Sequence, residues 1–143
     1  MADIIPHRAI ALIGSGVIDL DSDTLVATLY TSSATFTSES EDYSSTNELA
    51  TANGYTQLNK AITGQSIIVN DTDNRAQFDI ADITWTASGG DIGPARYCAI
   101  VDTTTTPDKY LYIMDFGTDK TANAGTDFKI TIDPSGLFLM YQG

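Results

Sequence analysis

Apolar residues recur at every second position through most of this chain, and the parity of that alternation lays out its strands. From Leu25 to Tyr30, Leu25, Ala27 and Leu29 share one face, and Val26, Thr28 and Tyr30 the other. Two further strands, Ser66 to Val69 and Arg75 to Ile80, flank the turn sequence Asp71-Thr72-Asp73-Asn74. Ala76, Phe78 and Ile80 carry the apolar face on even positions. Ile83 and Trp85 carry it on odd ones, so Ala81-Asp82 marks a bend or bulge. Ala95 to Val101 is an apolar strand between two loops, SGGDIGP at 88–94 and TTTTPD at 103–108. Lys109 to Phe116 is apolar on both faces, with Tyr110, Tyr112, Met114 and Phe116 on one and Leu111 and Ile113 on the other. Such a strand lies centrally in its sheet, or its outer face meets a partner. Phe128, Ile130 and Ile132 alternate with Lys129 and Thr131, the pattern of a half-buried antiparallel strand. Asp133-Pro134-Ser135-Gly136 is a turn, and Leu137 to Tyr141 is the last strand.

Three stretches leave this period. Pro6 to Ile13 reads as a short helix with proline in its first turn, ended by Gly14 and Gly16; a short strand, Val17 to Leu20, follows it. Residues 31–48, TSSATFTSESEDYSSTNE, form a long polar loop with one helical turn near Ser45 to Ala50. Phe36 and Tyr43 are its two aromatic anchors, set against its own core or a neighbour's. Asn53-Gly54-Tyr55 is a turn. The sum is eight or nine short strands in one domain spanning 1–143. It is mainly β, an antiparallel β-sandwich or jelly-roll-like domain with a short N-terminal helix.

Composition narrows the partners. Seven Lys and Arg against nineteen Asp and Glu give a net charge of −12. Charge of that size repels nucleic acid and anionic membranes, and no basic cluster offsets it. The opening MADIIPHRAI lacks the pattern of a secretory leader, and no apolar run reaches the length of a membrane span. Asn70-Asp71-Thr72 matches a glycosylation sequon and reads as a chance match. Cys98, the single cysteine, has no partner for an intrachain disulfide and reads as a small buried hydrophobe.

Candidate chemistry is sparse. Asp19, Asp21 and Asp23 have the alternate spacing of a calcium loop. Counted from Asp19, however, the sixth residue is Thr24 and the twelfth Tyr30, where an EF-hand needs Gly and Glu. The second acidic turn, 71–75, places Arg75 where a ligand belongs. Both read as turns. No phosphate loop, nucleophile elbow or HExxH is present, so no cofactor, metal or catalytic residue is expected. His7 is the single histidine; only a trimer axis would gather three copies of it. Asp79, Asp82, Asp91, Asp102 and Asp115 are the carboxylates from which a glycosidase pair would be drawn. Trp85, Tyr97, Tyr110 and Tyr112 are the rings a carbohydrate-binding module would stack on sugars.

The order of motifs carries a resemblance. A short helix precedes GVIDLDSDTLVATLYTSS, then NELATANGYT, NRAQFDIADITWTAS, ARYCAIV, YIMDFG and a closing TDFKITIDPSGLFLM. This series, over nearly the whole chain, resembles a family of small structural proteins in tailed bacteriophages. Two departures stand out: Gln57-Leu58-Asn59 follow the GYT where that family often has glycines, and Ile80-Ala81-Asp82-Ile83 replaces its commoner Ala-Asp-Asp-Val. Asp115-Phe116-Gly117 has no kinase companions and reads as a strand end with a glycine turn. The resemblance implies a non-enzymatic virion component made in the bacterial cytoplasm. Its best-fitting form is a capsid decoration or cement protein on the outer head shell, a homotrimer bridging copies of the major capsid protein. The alternatives are a tail, neck or fibre component, or a carbohydrate-binding module. Phe36, Tyr43, Tyr110 and Tyr112 are the candidate interface residues, and the 31–48 loop or the N-terminal segment is the candidate clamp.

Overall fold

Among residues 2–141, which the computed structural model describes, nine strands and one helix form. They are α1 (His7–Gly14), β1 (Leu25–Tyr30), β2 (Lys60–Ala61), β3 (Ser66–Asn70), β4 (Arg75–Asp79), β5 (Ile83–Thr86), β6 (Ile92–Asp102), β7 (Lys109–Ala122), β8 (Asp127–Ile130) and β9 (Phe138–Tyr141). All ladders are antiparallel. The strands make a four-stranded sheet β2-β1-β6-β7, a three-stranded sheet β3-β4-β9 and a two-stranded sheet β5-β8. The fold is mainly β and sandwich-like, as the alternation predicts. The jelly-roll alternative finds no support in this strand order.

The β1–β6 register sorts the core into two faces. Leu25, Ala27 and Leu29 sit opposite Asp102, Ile100 and Cys98; Val26, Thr28 and Tyr30 sit opposite Val101, Ala99 and Tyr97. All six residues of β1 are buried. The first face packs inward on Phe78 and Phe138 of the three-stranded sheet and on Trp85, Phe128 and Ile130 of the two-stranded sheet. Tyr112 stacks on Phe138 with centroids 6.1 Å apart, and Phe116 meets Phe128 at 5.9 Å. The second face is covered from within the chain. Ala34, Phe36 and Tyr43 of the 31–48 loop, with Ile4, pack on Val26, Tyr30, Val101, Tyr110 and Ile113. The two-sided apolar strand is thus explained by the chain's own loop, which forms a third layer.

Several elements differ from expectation. Ile100 pairs with Tyr112 but Val101 with Tyr110, so Leu111 is a bulge. Tyr110 therefore joins Ile113 on the outer face, while Tyr112 joins Met114 on the inner one. An alternation read without the bulge puts both tyrosines on one face. β7 also continues past Phe116 to Ala122. Between Asp115, opposite Tyr97, and Lys120, opposite Ala95, it carries extra residues, turned at Gly117 (φ 78°). The DFG is therefore a bulge inside a strand. β6 begins at Ile92, within the expected 88–94 loop. Val17 to Leu20 is no strand: the Val17 and Ile18 amides donate to the Leu12 carbonyl at 2.9 and 3.1 Å, wrapping the chain back over α1. Ile18 and Leu20 are buried there without pairing. Near Ser45 a single turn closes, Glu48 amide to Ser45 carbonyl at 3.1 Å, and no helix follows.

Candidate functional site

A dense polar arrangement holds the 31–48 loop to the outer face of the main sheet. Glu48, 7% exposed, sits at its centre. The Tyr43 hydroxyl donates to its Oε2; the Tyr55 hydroxyl (2.7 Å) and the Leu58 amide (3.1 Å) donate to its Oε1. Tyr55 in turn accepts from the Leu29 amide at 2.8 Å, tying the loop to β1. Beside this, the Tyr30 hydroxyl donates to the Ser44 carbonyl at 2.7 Å and lies 2.9 Å from the Tyr110 hydroxyl, which accepts from the Ser44 amide at 3.0 Å. Phe36 packs edge-on against Tyr30, Tyr97 and Tyr110 at 5.0, 5.5 and 5.4 Å. Burial raises the ionisation of Tyr30, Tyr43, Tyr55 and Tyr110 above the ordinary phenol range, and Glu48 raises that of Tyr43 and Tyr55 further. Neutral phenols donating to a buried carboxylate are a fastening, satisfied within one chain.

The candidate interface residues turn inward within the chain. Phe36, Tyr110 and Tyr112 are 7%, 5% and 9% exposed, and Tyr43 is half-buried under the same fastening. Their apolar area is spent inside the chain. The N-terminal segment is also docked internally. Ile4 bridges Ile113, Asp3 accepts from the Tyr112 hydroxyl (3.0 Å) and the Asp115 amide (2.8 Å), and the His7 amide donates to Ser38. The sugar-stacking rings are no platform either. Trp85, Tyr110 and Tyr112 are buried, and Tyr97 lies between Phe36 and the Arg96 guanidinium.

The five candidate carboxylates are engaged separately. Asp79 accepts from the Ile80 amide, Asp82 from Ile132 and Lys129, and Asp91 from Ala124. Asp115, its side chain fully buried, takes Arg96 Nε at 2.6 Å and Nη2 at 3.3 Å. Arg96 lowers the Asp115 carboxyl well below the usual range. A depressed folded value stabilises fully above the ordinary 3.8 and is lost as pH falls from there toward that value. Asp115→Asn is therefore expected to lower Tm at pH 7, with the gap to wild type closing below pH about 4. Calorimetry from pH 7 to 2 checks this; a gap independent of pH would refute the ion-pair account.

Asp102, the last residue of β6, is 0% exposed. Burial, and then the Asp23 carboxyl beside it, push it up to about 7. Among the described residues, no three His, Cys, Asp or Glu side chains gather as a metal centre. Cys98 is buried and its thiol is pushed up by that burial, away from nucleophile chemistry. An open groove of about 380 Å³ lies between the far end of β7 and β8, lined by Phe116, Phe128, Lys120 and Lys129.

An exposed apolar surface that alternation does not mark lies on β3. β3 is an edge strand bonded on one side to β4. Its Ile67, Ile68 and Val69 are 41%, 41% and 71% exposed, and Ser66–Asn70 carries no charge. Three consecutive β-formers without alternation were the available signal. At the opposite edge of the same sheet Tyr141 is 62% exposed.

Comparison with known proteins returns nothing: no family model matches the chain, and no curated protein or solved structure matches it.

Proposed function

We propose that this chain is a non-enzymatic structural protein of a tailed-phage virion, a decoration protein that docks on the outer head shell and bridges capsid subunits. The reading starts from the motif series in the sequence. The observation that carries it into the structure is the β3 edge. An unpaired strand edge with three exposed apolar side chains is a template for a further strand. The acidic surface favours a site facing solvent over one facing packaged DNA. A shell partner would bind the folded protein only, so its contribution appears as stabilisation of the assembled particle. Local threefold positions of an icosahedral shell favour a homotrimer.

The test combines copy number with an edge variant. Quantitative mass spectrometry of purified virions is expected to give a simple lattice fraction of the major shell protein. Val69→Lys puts a charge on the edge and is expected to reduce co-sedimentation with shells at least about tenfold, with Tm little changed because the site is exposed. Full binding by the variant would remove β3 as the docking edge. A handful of copies per particle would move the protein to the tail or neck, and absence from virions would overturn the reading.

A further inference from the structure

The outer edge of β7 is closed along its first half and open along its second. Ile4 and Ile113 exchange backbone hydrogen bonds of 2.8 Å, the Tyr110 amide donates to the Glu41 carbonyl at 2.8 Å, and the Asp115 amide donates to the Asp3 carboxylate. From Phe116 onward, among the described residues, no bridge reaches that edge. Gly117 to Thr121 are exposed at every position, although they lie inside a strand. β8 runs beside this open half, and its own ladder is with β5 alone. Phe116 and Phe128 touch across the gap with centroids 5.9 Å apart. The groove of about 380 Å³ lies between the two strands, lined by the unbroken runs 120–122 and 127–131. Because successive residues of a strand point to opposite faces, unbroken runs mean that the groove follows the strand edges and not one row of side chains.

Floor and rim differ in chemistry. Phe116, Ala122, Phe128 and Ile130 are buried or half-buried and form an apolar floor. Lys120 and Lys129 stand exposed, one on each strand, in a chain of net charge −12 that has only seven Lys and Arg. Among the described residues no salt bridge reaches Lys120. Lys129 reaches Asp82 at 3.4 Å, in a pair exposed on both sides. The carboxylate in the lining, Asp127, accepts from the Thr86 hydroxyl at 2.8 Å. We propose that a short extended segment of a partner protein, with acidic side chains beside apolar ones, docks in this groove and pairs with the open edges of β7 and β8. Open edges offer unpaired backbone donors and acceptors, the floor receives the apolar side chains, and the two lysines select carboxylates. A basic segment would meet two ammonium groups, so charge sets the choice of partner. The site is independent of the shell-docking reading, because β3 belongs to a different sheet from either strand of the groove.

The experiment is an NMR titration of the isotope-labelled full chain with two pools of end-capped hexapeptides. One pool alternates Asp or Glu with Val, Ile or Phe; the other alternates Lys or Arg with the same apolar residues. The acidic pool is expected to shift the amides of 116–122 and 127–131 below about 1 mM peptide and to slow their exchange with solvent. The basic pool should bind at least about tenfold more weakly, with the gap narrowing as salt rises to about 0.5 M. Lys120→Glu, at an exposed position, should keep Tm and weaken the acidic pool at least about fivefold. Val69→Lys, on the β3 edge, should leave this binding unchanged, so its failure and that of shell docking are read separately. No shift with the acidic pool, equal binding of both pools, full affinity in Lys120→Glu, or shifts confined to residues outside the two strands overturns the proposal. Phenylacetate giving the same shifts without slowing amide exchange would assign the groove to a small carboxylate and equally overturn it.

Discussion

Replacing Glu48 by Ala is expected to lower stability by about 3–5 kcal/mol, because it leaves three donors, one of them buried, without their acceptor. Its carboxylate accepts from the Tyr43 and Tyr55 hydroxyls and the Leu58 amide, in a site where the residue is 7% exposed. Each buried donor left unpaired costs about 1–3 kcal/mol. Tyr55 keeps one partner, since it still accepts from the Leu29 amide. Its own proton, however, then points at the space the carboxylate left. For a chain of this size the loss corresponds to a Tm lower by about 10 °C. Glu48→Gln fills the volume and keeps one acceptor oxygen, but it turns an NH2 toward groups that also donate, so it should fall between Ala and wild type. The loop is the part that responds first. With Glu48 gone, the 31–48 segment keeps the Ser44 bonds to Tyr30 and Tyr110 and the backbone bonds of 47–49 to β1, while its later half loses its side-chain anchor. Limited proteolysis should therefore cut near 45–50 in Glu48→Ala before the sheets unfold. A variant within about 2 °C of wild type, with the loop equally resistant, would show that the carboxylate is incidental to the fastening.

What the sequence showed and what it hid divide along the reach of the interaction. β1, β4, β5 and β8 were legible because each is a short strand with one register, and period-two alternation reports their faces directly. β7 was legible as a strand but not in its faces. The Leu111 bulge exchanges Tyr110 and Tyr112 between the inner and outer cores, and nothing local in KYLYIMDF marks it. The same blindness affected the expected interface. Phe36 and Tyr43 stand out as anchors in the sequence, but the surface they meet is not written in it. The answer depends on Tyr30 and Tyr110 lying beside each other, 80 positions apart in the chain. Glu48 looked like one acidic residue among nineteen, because its role comes from Tyr55 arriving across the Asn53-Gly54 turn. β3 is the opposite case. Its three consecutive apolar residues were visible, and only the sheet order shows that the strand ends up at an open edge.

The Asn53-Gly54 turn yields the second large expected effect. Ala52 and Tyr55 exchange backbone hydrogen bonds of 2.9 Å in both directions, with Asn53 at φ 58° and Gly54 at φ 96°. Positive φ at both central residues is the tight hairpin geometry that matches strand twist, and Asn-Gly is the pair that adopts it most easily. Gly54 meets a second demand that the turn type does not explain. A Cβ at this position would lie 2.2 Å from the Thr86 carbonyl oxygen and 3.3 Å from its carbon, where the turn crosses the end of β5. Gly54→Ala must therefore both accept a left-handed backbone and push two backbone segments apart, together about 3–5 kcal/mol. Gly89 separates the two contributions. It has φ 79° but open space around its Cβ position, so Gly89→Ala carries the conformational cost alone, about 1 kcal/mol. Chemical denaturation of the two variants side by side is the measurement. A Gly54→Ala loss several times that of Gly89→Ala places the cost in the contact with Thr86. Equal losses would mean that the turn and β5 separate freely. Tyr55, which holds both Glu48 and Leu29, would then be positioned by its own hydrogen bonds and not by the turn.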